Sequence, residues 1–369
     1  MGTQERRRIA VAGGGTAGHI LPALDLLAAY RREFGAEGFM IGCAGGLESR
    51  LAAAASEPFH SVPGYPWARQ GWSGKLRAAA VLPGAVRAAR RILLREGTEL
   101  VIGTGGYASF SACAAAYTLG LPVAIHEANA EPGMANRILG RIASVICVGY
   151  RETAQHFRCG ALVTGVPCSN IIRARPPYGP PWRFLVLGGS EGSPLLNREA
   201  PRLFGELRRR GLQFSVRHLA GCGETSEIER AYAGESVDAC VDGFVEAVAP
   251  LYAEAHLALA SAGARTLAEM SAAGLPSLIV PLPGAAHNHQ AANARLYAAE
   301  TGAVTILDNR WDCGAIASRM QAILSNAEEL RGLERDTRQW WHPHAARDVV
   351  HACENFLAGR RALALSYEV

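Results

Sequence analysis

The sequence predicts an α/β protein made of two doubly wound parallel-sheet domains, and three observations predict it. Short apolar runs alternate with helix-length amphipathic stretches along the whole chain, the pattern of successive βαβ units. The run Ile9 to Ala12 leads into Gly13-Gly14-Gly15-Thr16-Ala17-Gly18-His19 and a helical stretch, and Phe184 to Leu187 restarts the same plan with Gly188-Gly189-Ser190-Glu191-Gly192-Ser193. Between the two halves, Pro176, Pro177, Pro180 and Pro181 crowd the segment 173–182, which excludes helix or central strand and reads as a semi-rigid linker. With 369 residues the chain also exceeds a usual single core.

Taken in order, the first half predicts strands near 8–12, 38–43, 99–103, 122–126, 144–149 and 161–164. The second predicts strands near 183–188, 214–219, 237–240, 256–260, 277–281 and 303–306, then helices near 314–323 and 344–358. The expected domains are 1–172 and 183–369, with the terminal helix 344–358 able to return to the first domain. Two such domains facing each other would place a ligand cleft where the carboxyl ends of their strands meet.

Composition excludes several classes. Apolar residues make up 49% and charged residues 19% of the chain, so a packed core is available and disorder is excluded. Nine cysteines, scattered without a C-x-x-C pair or metal-ligand spacing, argue against a disulfide framework and a zinc site and fit a reducing cytosol. The basic, polar start lacks an apolar h-region, and no apolar run approaches the ~18 residues of a membrane span. A formal charge of +4 without aromatic and basic interleaving gives no case for nucleic acid. Charge does concentrate between Trp67 and Arg95, where Trp67, Arg69, Trp72, Lys75, Arg77, Arg87, Arg90, Arg91 and Arg95 mix with leucine, valine and isoleucine. Such a stretch suits either an anionic membrane surface or the solvated face of a core helix beginning after Pro83 that buries Val86, Ile92 and Leu93.

The glycine turns name the ligand chemistry. A strand ending in glycines lets backbone N–H groups approach a phosphate, and the following helix N-terminus adds partial positive charge. Gly13, Gly15 and Gly18 satisfy G-x-G-x-x-G, yet the dinucleotide fingerprint also needs an acidic residue about 20 positions on. Here the second strand ends in Ala44-Gly45-Gly46, and Glu48 comes too late. His19 stands where proton transfer to a reacting group is possible. In the second half Gly263-Ala264-Arg265-Thr266 is a glycine turn into a helix. Glu269, one turn inside, suits a pair of ribose hydroxyls or the helix dipole. Gln290 and Asn293, three apart on one helix face, suit sugar hydroxyls.

Together these residues resemble the MurG glycosyltransferases, and the resemblance runs through nearly the whole chain. It is carried by Gly13 to His19 with Pro22, Gly45-Gly46-Leu47-Glu48, Gly105-Gly106-Tyr107, His126-Glu127-Ala128-Asn129-Ala130, Pro132-Gly133 with Asn136, Gly188-Gly189-Ser190, Gly263-Ala264, Glu269, and Gln290 with Asn293. The three-glycine first loop, the His-Glu-Ala-Asn-Ala run and a single lysine, Lys75, look like an actinobacterial member. The resemblance implies the GT-B fold and inverting transfer of N-acetylglucosamine from its UDP conjugate to lipid I, with the enzyme cytoplasmic and peripheral on the membrane. It implies a donor site in the C-terminal domain: Gly189 and Ser190 at the diphosphate, Phe244 and Val245 beside the uracil, Glu269 on the ribose, Gly263, Ala264, Arg265, Thr266, Gln290 and Asn293 around the diphosphate and sugar. The acceptor would meet Thr16, Gly18, His19, Tyr107, Glu127 and Asn129, with His19 or Glu127 as the base. No D-x-D motif is present, so no metal or other cofactor is expected.

The resemblance breaks at three positions near the expected donor phosphates. Glu191 replaces a usual glutamine, Ser169 falls where the family carries arginine, and Ser261 replaces an arginine before the Gly-Ala turn. Arg265 is expected to restore one positive charge in the same place. These departures keep two alternatives open: a specialised N-acetylglucosaminyltransferase of a natural-product pathway with a soluble nucleoside-type acceptor, and a non-catalytic nucleotide-sugar-binding protein.

Overall fold

The computed structural model describes residues 7–64, 72–168, 176–245, 248–282, 289–306 and 310–367, with the side chains of 72–79 and 361–367 outside the description. Trp67, Arg69, Ser169 and His287-Asn288 therefore lie outside the described residues, as do the side chains of Trp72, Lys75 and Arg77. The chain divides into two compact units, one of residues 1–169 with 344–369 and one of residues 170–343.

The first unit is built on β1 (Arg8–Gly13), β2 (Glu37–Cys43), β3 (Phe59–Val62), β4 (Leu100–Gly105), β5 (Val123–Glu127), β6 (Val145–Val148) and β7 (Leu162–Val163). All pairings are parallel and the order is β3-β2-β1-β4-β5-β6-β7. Val11 pairs with Met40 on one side and Ile102 on the other. Ile9, Ala10, Val11 and Ala12 are all fully buried, as a central parallel strand covered on both faces requires. The helices are α1 (Ala17–Phe34), α2 (Leu47–Ala54), α3 (Trp72–Arg95), α4 (Gly106–Thr118) and α5 (Met134–Leu139), with the last helix of the chain joining them.

The second unit has β8 (Trp182–Leu187), β9 (Phe214–Leu219), β10 (Ala239–Asp242), β11 (Leu257–Ala260), β12 (Ser277–Ile279) and β13 (Val304–Thr305) in the parallel order β10-β9-β8-β11-β12-β13. Its helices are α6 (Pro194–Arg209), α7 (Ser226–Gly234), α8 (Ala249–Glu254), α9 (Ala264–Ala273), α10 (His289–Thr301), α11 (Cys313–Ser325) and α12 (Ala327–Gln339). The start of the unit is tied down by two side chains. His256 takes the Arg183 N–H on Nδ1 (3.0 Å) and donates from Nε2 to the Pro177 carbonyl (3.2 Å), while the Tyr178 hydroxyl donates to Glu334 on α12.

From residue 344 the chain belongs to the first unit rather than to the second half of the sequence. Helix α13 (Ala345–Tyr367) buries Val349, Val350, Cys353 and Leu357, and its Glu354 pairs with Arg7 at 2.8 Å. Three features escape the sequence pattern. The edge strand β3 interrupts its apolar residues with His60 and Ser61, and α12 is a strongly polar helix. Helix α3 begins at Trp72 and carries Pro83 inside it, on an exposed position, instead of starting after it. Along α3, Ala85, Ala89 and Leu93 are buried while Arg87, Arg90, Arg91 and Arg95 are exposed.

Candidate active site

In each unit the chain leaves the first strand in one direction and returns on its other side, so the sheet order reverses there. The switch points fall between β1 and β4, and between β8 and β11. Loops at the carboxyl ends of these strands form the natural ligand site of each sheet. Both predicted glycine turns sit there.

In the first unit, Gly14 N–H donates to the Gly105 carbonyl (3.2 Å), joining the turn after β1 to the turn after β4. Thr16 caps α1 in an extended conformation, and His19 follows in the first turn. The His19 Nδ1 lies 3.0 Å from the Gly14 carbonyl. A carbonyl only accepts, so Nδ1 carries the hydrogen and the neutral ring presents a bare Nε2. Gly105 (φ 115°) leaves room for that ring: a Cβ there would stand 2.7 Å from His19 Cδ2 and 2.9 Å from Nε2. Thr104 holds the base of the turn by donating to the His19 carbonyl at 2.7 Å. Tyr107 stands half-buried at the start of α4, its hydroxyl pKa raised by burial and by the neighbouring Cys43. Burial pushes the Cys43 thiol up to about 11, with Glu48 adding to the effect.

The first turn is not an empty phosphate cradle. The Gly15 N–H donates to Glu48 Oε1 at 3.0 Å, so an internal carboxylate occupies the position an anion would take. The amides left for a ligand are those at the start of α1, Ala17 and Gly18, which have no intrahelical partner.

Glu127 ends β5 and is almost fully buried. Its Oε1 accepts from Asn129 N (2.9 Å) and Nδ2 (3.1 Å), and its Oε2 accepts from Gly133 N (3.0 Å) and Asn136 Nδ2 (2.9 Å). Four bonds fill the acceptor sites of a carboxylate. Glu127 therefore shapes the 128–136 loop and has no lone pair left for a substrate proton. Asn129 is held in place by the same bonds.

In the second unit, Gly189 (φ 82°), Ser190 and exposed Glu191 form the turn before α6, whose cap Ser193 accepts the Leu196 N–H. Ser261 N–H donates to the Leu187 carbonyl, and a Cβ on Gly189 would lie 3.4 Å from Ser261 Oγ, so the small side chain at 261 packs directly beside the turn. Gly263 caps α9, whose first residues are Ala264, Arg265 and Thr266. Gln290 Oε1 accepts from both Ala262 N–H (3.1 Å) and Leu282 N–H (2.9 Å), and Asn293 Nδ2 donates to the Ala262 carbonyl (3.0 Å). Two amides of α10 thus grip the turn before α9, and the fixed oxygen of Gln290 turns its NH₂ group the other way. Phe244 and Val245 follow β10 and are half-buried.

Arg265 does not stand as a lone cation. Its Nε donates to Glu269 Oε1 at 2.7 Å, both residues being buried, while the Tyr252 hydroxyl donates to Oε2 at 2.9 Å. Each Glu269 oxygen keeps one acceptor site, enough for two hydroxyl donors. Tyr252, Thr104 and the grip of Glu48 on the first turn were not singled out from sequence. The one signal for Glu48 was a carboxylate just after a Gly-Gly pair at a helix start.

Comparison with known proteins agrees with this layout. Residues 9–148 match the glycosyltransferase family 28 N-terminal domain, and residues 183–348 match the family 28 C-terminal domain. The chain is a family 28 glycosyltransferase. It is 36% identical over 351 residues to the UDP-N-acetylglucosamine–N-acetylmuramyl-(pentapeptide) pyrophosphoryl-undecaprenol N-acetylglucosamine transferase of Methylococcus capsulatus, covering 94% of this chain and 98% of the relative. The transferase of the same name from Magnetococcus marinus is 32% identical over 354 residues, with 93% and 96% covered. The crystal structure of MurG from Acinetobacter baumannii superposes with a TM-score of 0.74 at 26% identity over 95% of this chain and 99% of that one. A UDP-N-acetylglucosamine 2-epimerase from Neisseria meningitidis shares the fold alone, at a TM-score of 0.69, 11% identity, and coverage of 94% and 100%. The GT-B architecture follows from these neighbours and the two parallel sheets.

Proposed function

We propose that this family 28 enzyme transfers N-acetylglucosamine from UDP-N-acetylglucosamine to lipid I, the N-acetylmuramyl-pentapeptide carried on undecaprenyl diphosphate. The observation that carries the reading is identity above 30% along nearly the full length of transferases with that named activity. The natural-product and non-catalytic alternatives have no comparable support.

The second unit would hold the donor. Glu269 would take the ribose hydroxyls on its two remaining acceptor sites, Phe244 and Val245 the uracil face, and the Gln290 NH₂ group and Asn293 the sugar. The diphosphate would lie on Gly189, Ser190 and the backbone at the start of α9, from Gly263 to Thr266, where the helix dipole favours the charge that grows on departing UDP. Arg265 would serve by holding Glu269 in place. The first unit would hold the acceptor through Thr16, Gly18, Tyr107 and Asn129. His19 Nε2 would take the acceptor hydroxyl proton as the new C1–O bond forms and the bond from C1 to UDP breaks, with inversion. Glu127 would act on the acceptor only through the loop it organises.

Among the described residues no helix is long and apolar enough to cross a membrane. A lipid-linked acceptor calls for peripheral attachment, at the cytoplasmic face of the membrane. The exposed Arg87, Arg91 and Leu94 of α3 and Tyr117 of α4 supply basic, apolar and aromatic groups for an anionic surface.

The direct test is UDP release by purified protein from UDP-N-acetylglucosamine, with and without a short-chain lipid I analogue. Acceptor-dependent release is expected. Donor binding with no response to lipid I would overturn the acceptor assignment.

A further inference from the structure

We propose that Glu48 is a positioning residue for His19, acting through a single peptide plane. The group between them is the Gly14–Gly15 peptide. Its N–H end donates to Glu48 Oε1 at 3.0 Å, and its C=O end lies 3.0 Å from the His19 Nδ1 that donates to it. The chain carboxylate, peptide, imidazole runs without a gap to the bare Nε2. A carboxylate on the N–H end polarises the peptide and strengthens the carbonyl as an acceptor, because hydrogen bonds in series reinforce one another. The result is the orienting job that a carboxylate does for a catalytic histidine, relayed through backbone.

The surroundings are built for this contact. Glu48 is only 4% exposed and sits in the first turn of α2, where the helix dipole favours its charge. A Cβ on Gly14 would stand 2.7 Å from Glu48 Oε1, and one on Gly42 would stand 2.7 Å from Glu48 Cβ, so two strand-end glycines make way for one side chain. The Gly14 N–H is fixed from the other side by the Gly105 carbonyl. When Nε2 takes the acceptor proton the ring becomes cationic, and the relayed negative charge of Glu48 favours that state.

This inference rests on His19 being the base, and the test separates the two. UDP release with the lipid I analogue is measured for Glu48→Ala, Glu48→Gln, His19→Ala and the Glu48→Ala/His19→Ala pair, with thermal melts on each. Glu48→Ala is expected to lower kcat by about a hundredfold, the scale of a misplaced catalytic group, while donor KM stays unchanged because the donor residues are in the other unit. Glu48→Gln keeps an oxygen acceptor and loses only charge assistance, so kcat falls by no more than about fivefold. In the double variant Glu48→Ala adds nothing to His19→Ala. If Glu48→Ala does not fold, Glu48→Asp, whose shorter carboxylate withdraws from Gly15, takes its place with the same expected loss. Full kcat in Glu48→Ala, or Glu48→Gln falling as far as Glu48→Ala, overturns the relay and leaves the base assignment standing when His19→Ala is dead. Full kcat in His19→Ala overturns the base assignment, and the relay with it.

Discussion

Buried charges decide how single residues in the second unit behave. Arg265 and Glu269 form a buried ion pair, and breaking such a pair by removing one partner costs about 3–5 kcal/mol. Glu269→Ala is therefore expected to lose fold stability as well as donor binding. Arg265→Leu leaves the carboxylate with Tyr252 as its one named partner and is expected to weaken UDP affinity by misplacing Glu269. Urea midpoints and UDP titrations on both variants check this, and unchanged UDP affinity in Arg265→Leu would remove the supporting role. His218 gives a pH prediction. It is fully buried between Tyr232 and Asn197, and desolvation lowers its pKa from 6.5 to about 4. A depressed folded pKa means the stability is complete above about pH 6.5 and is lost as pH falls toward 4, by on the order of 3 kcal/mol. His218→Gln should flatten that part of the urea-stability profile, and an unchanged slope would show that another group controls it. The placement of His19, Glu269, Gln290 and Asn293 at or beside glycine turns was legible, because motif spacing fixes it locally. Glu48 was not, because its bond reaches a backbone N–H 33 residues away and depends on space left by glycines.

At the level of elements, period and punctuation carried most of the information. Strands such as β1, β4 and β11 read plainly, since a buried parallel strand is a short unbroken apolar run. Strand β3 did not, because an edge strand needs only one partner and tolerates polar residues. Helix α3 was cut short in the sequence reading by Pro83. The chain tolerates it on an exposed turn, where the missing N–H and the ring meet solvent instead of core. The buried Ala85, Ala89 and Leu93 and the exposed arginines make α3 an ordinary amphipathic helix, so a proposed anionic surface would meet its outer face. Basic residues near an anionic surface are worth about 1 kcal/mol each. Arg87→Ala with Arg91→Ala should then weaken binding to anionic vesicles by more than about tenfold, with the loss masked at high salt. UDP release with a water-soluble acceptor analogue should not change. Sedimentation at two ionic strengths measures it, and equal pelleting of wild type and variant would move the attachment site elsewhere.

On the scale of the whole molecule, the chain closes its first unit last. Residues 1–169 contain the seven strands, yet α13, nearly two hundred residues later, covers α1 and β6. The sequence left this return open as one possibility, because a helix carries no mark of the unit it covers. Val349, Val350, Cys353 and Leu357 are buried there, and Arg7 is joined to Glu354. Fully burying a large apolar side chain is worth about 1.5–3 kcal/mol, so losing the two valines and Leu357 alone would remove roughly 5–9 kcal/mol as an upper bound. That is comparable to the whole stability of a domain, about 5–15 kcal/mol. Truncation after Pro343 should therefore unfold the first unit while leaving the second, which has its own sheet and core, intact. Calorimetry of the truncated protein is expected to show one surviving transition that UDP raises, with acceptor-dependent turnover abolished. If the truncated chain still melts in both transitions, α13 is dispensable cover. If UDP no longer raises any transition, the donor residues of the second unit depend on more than that unit.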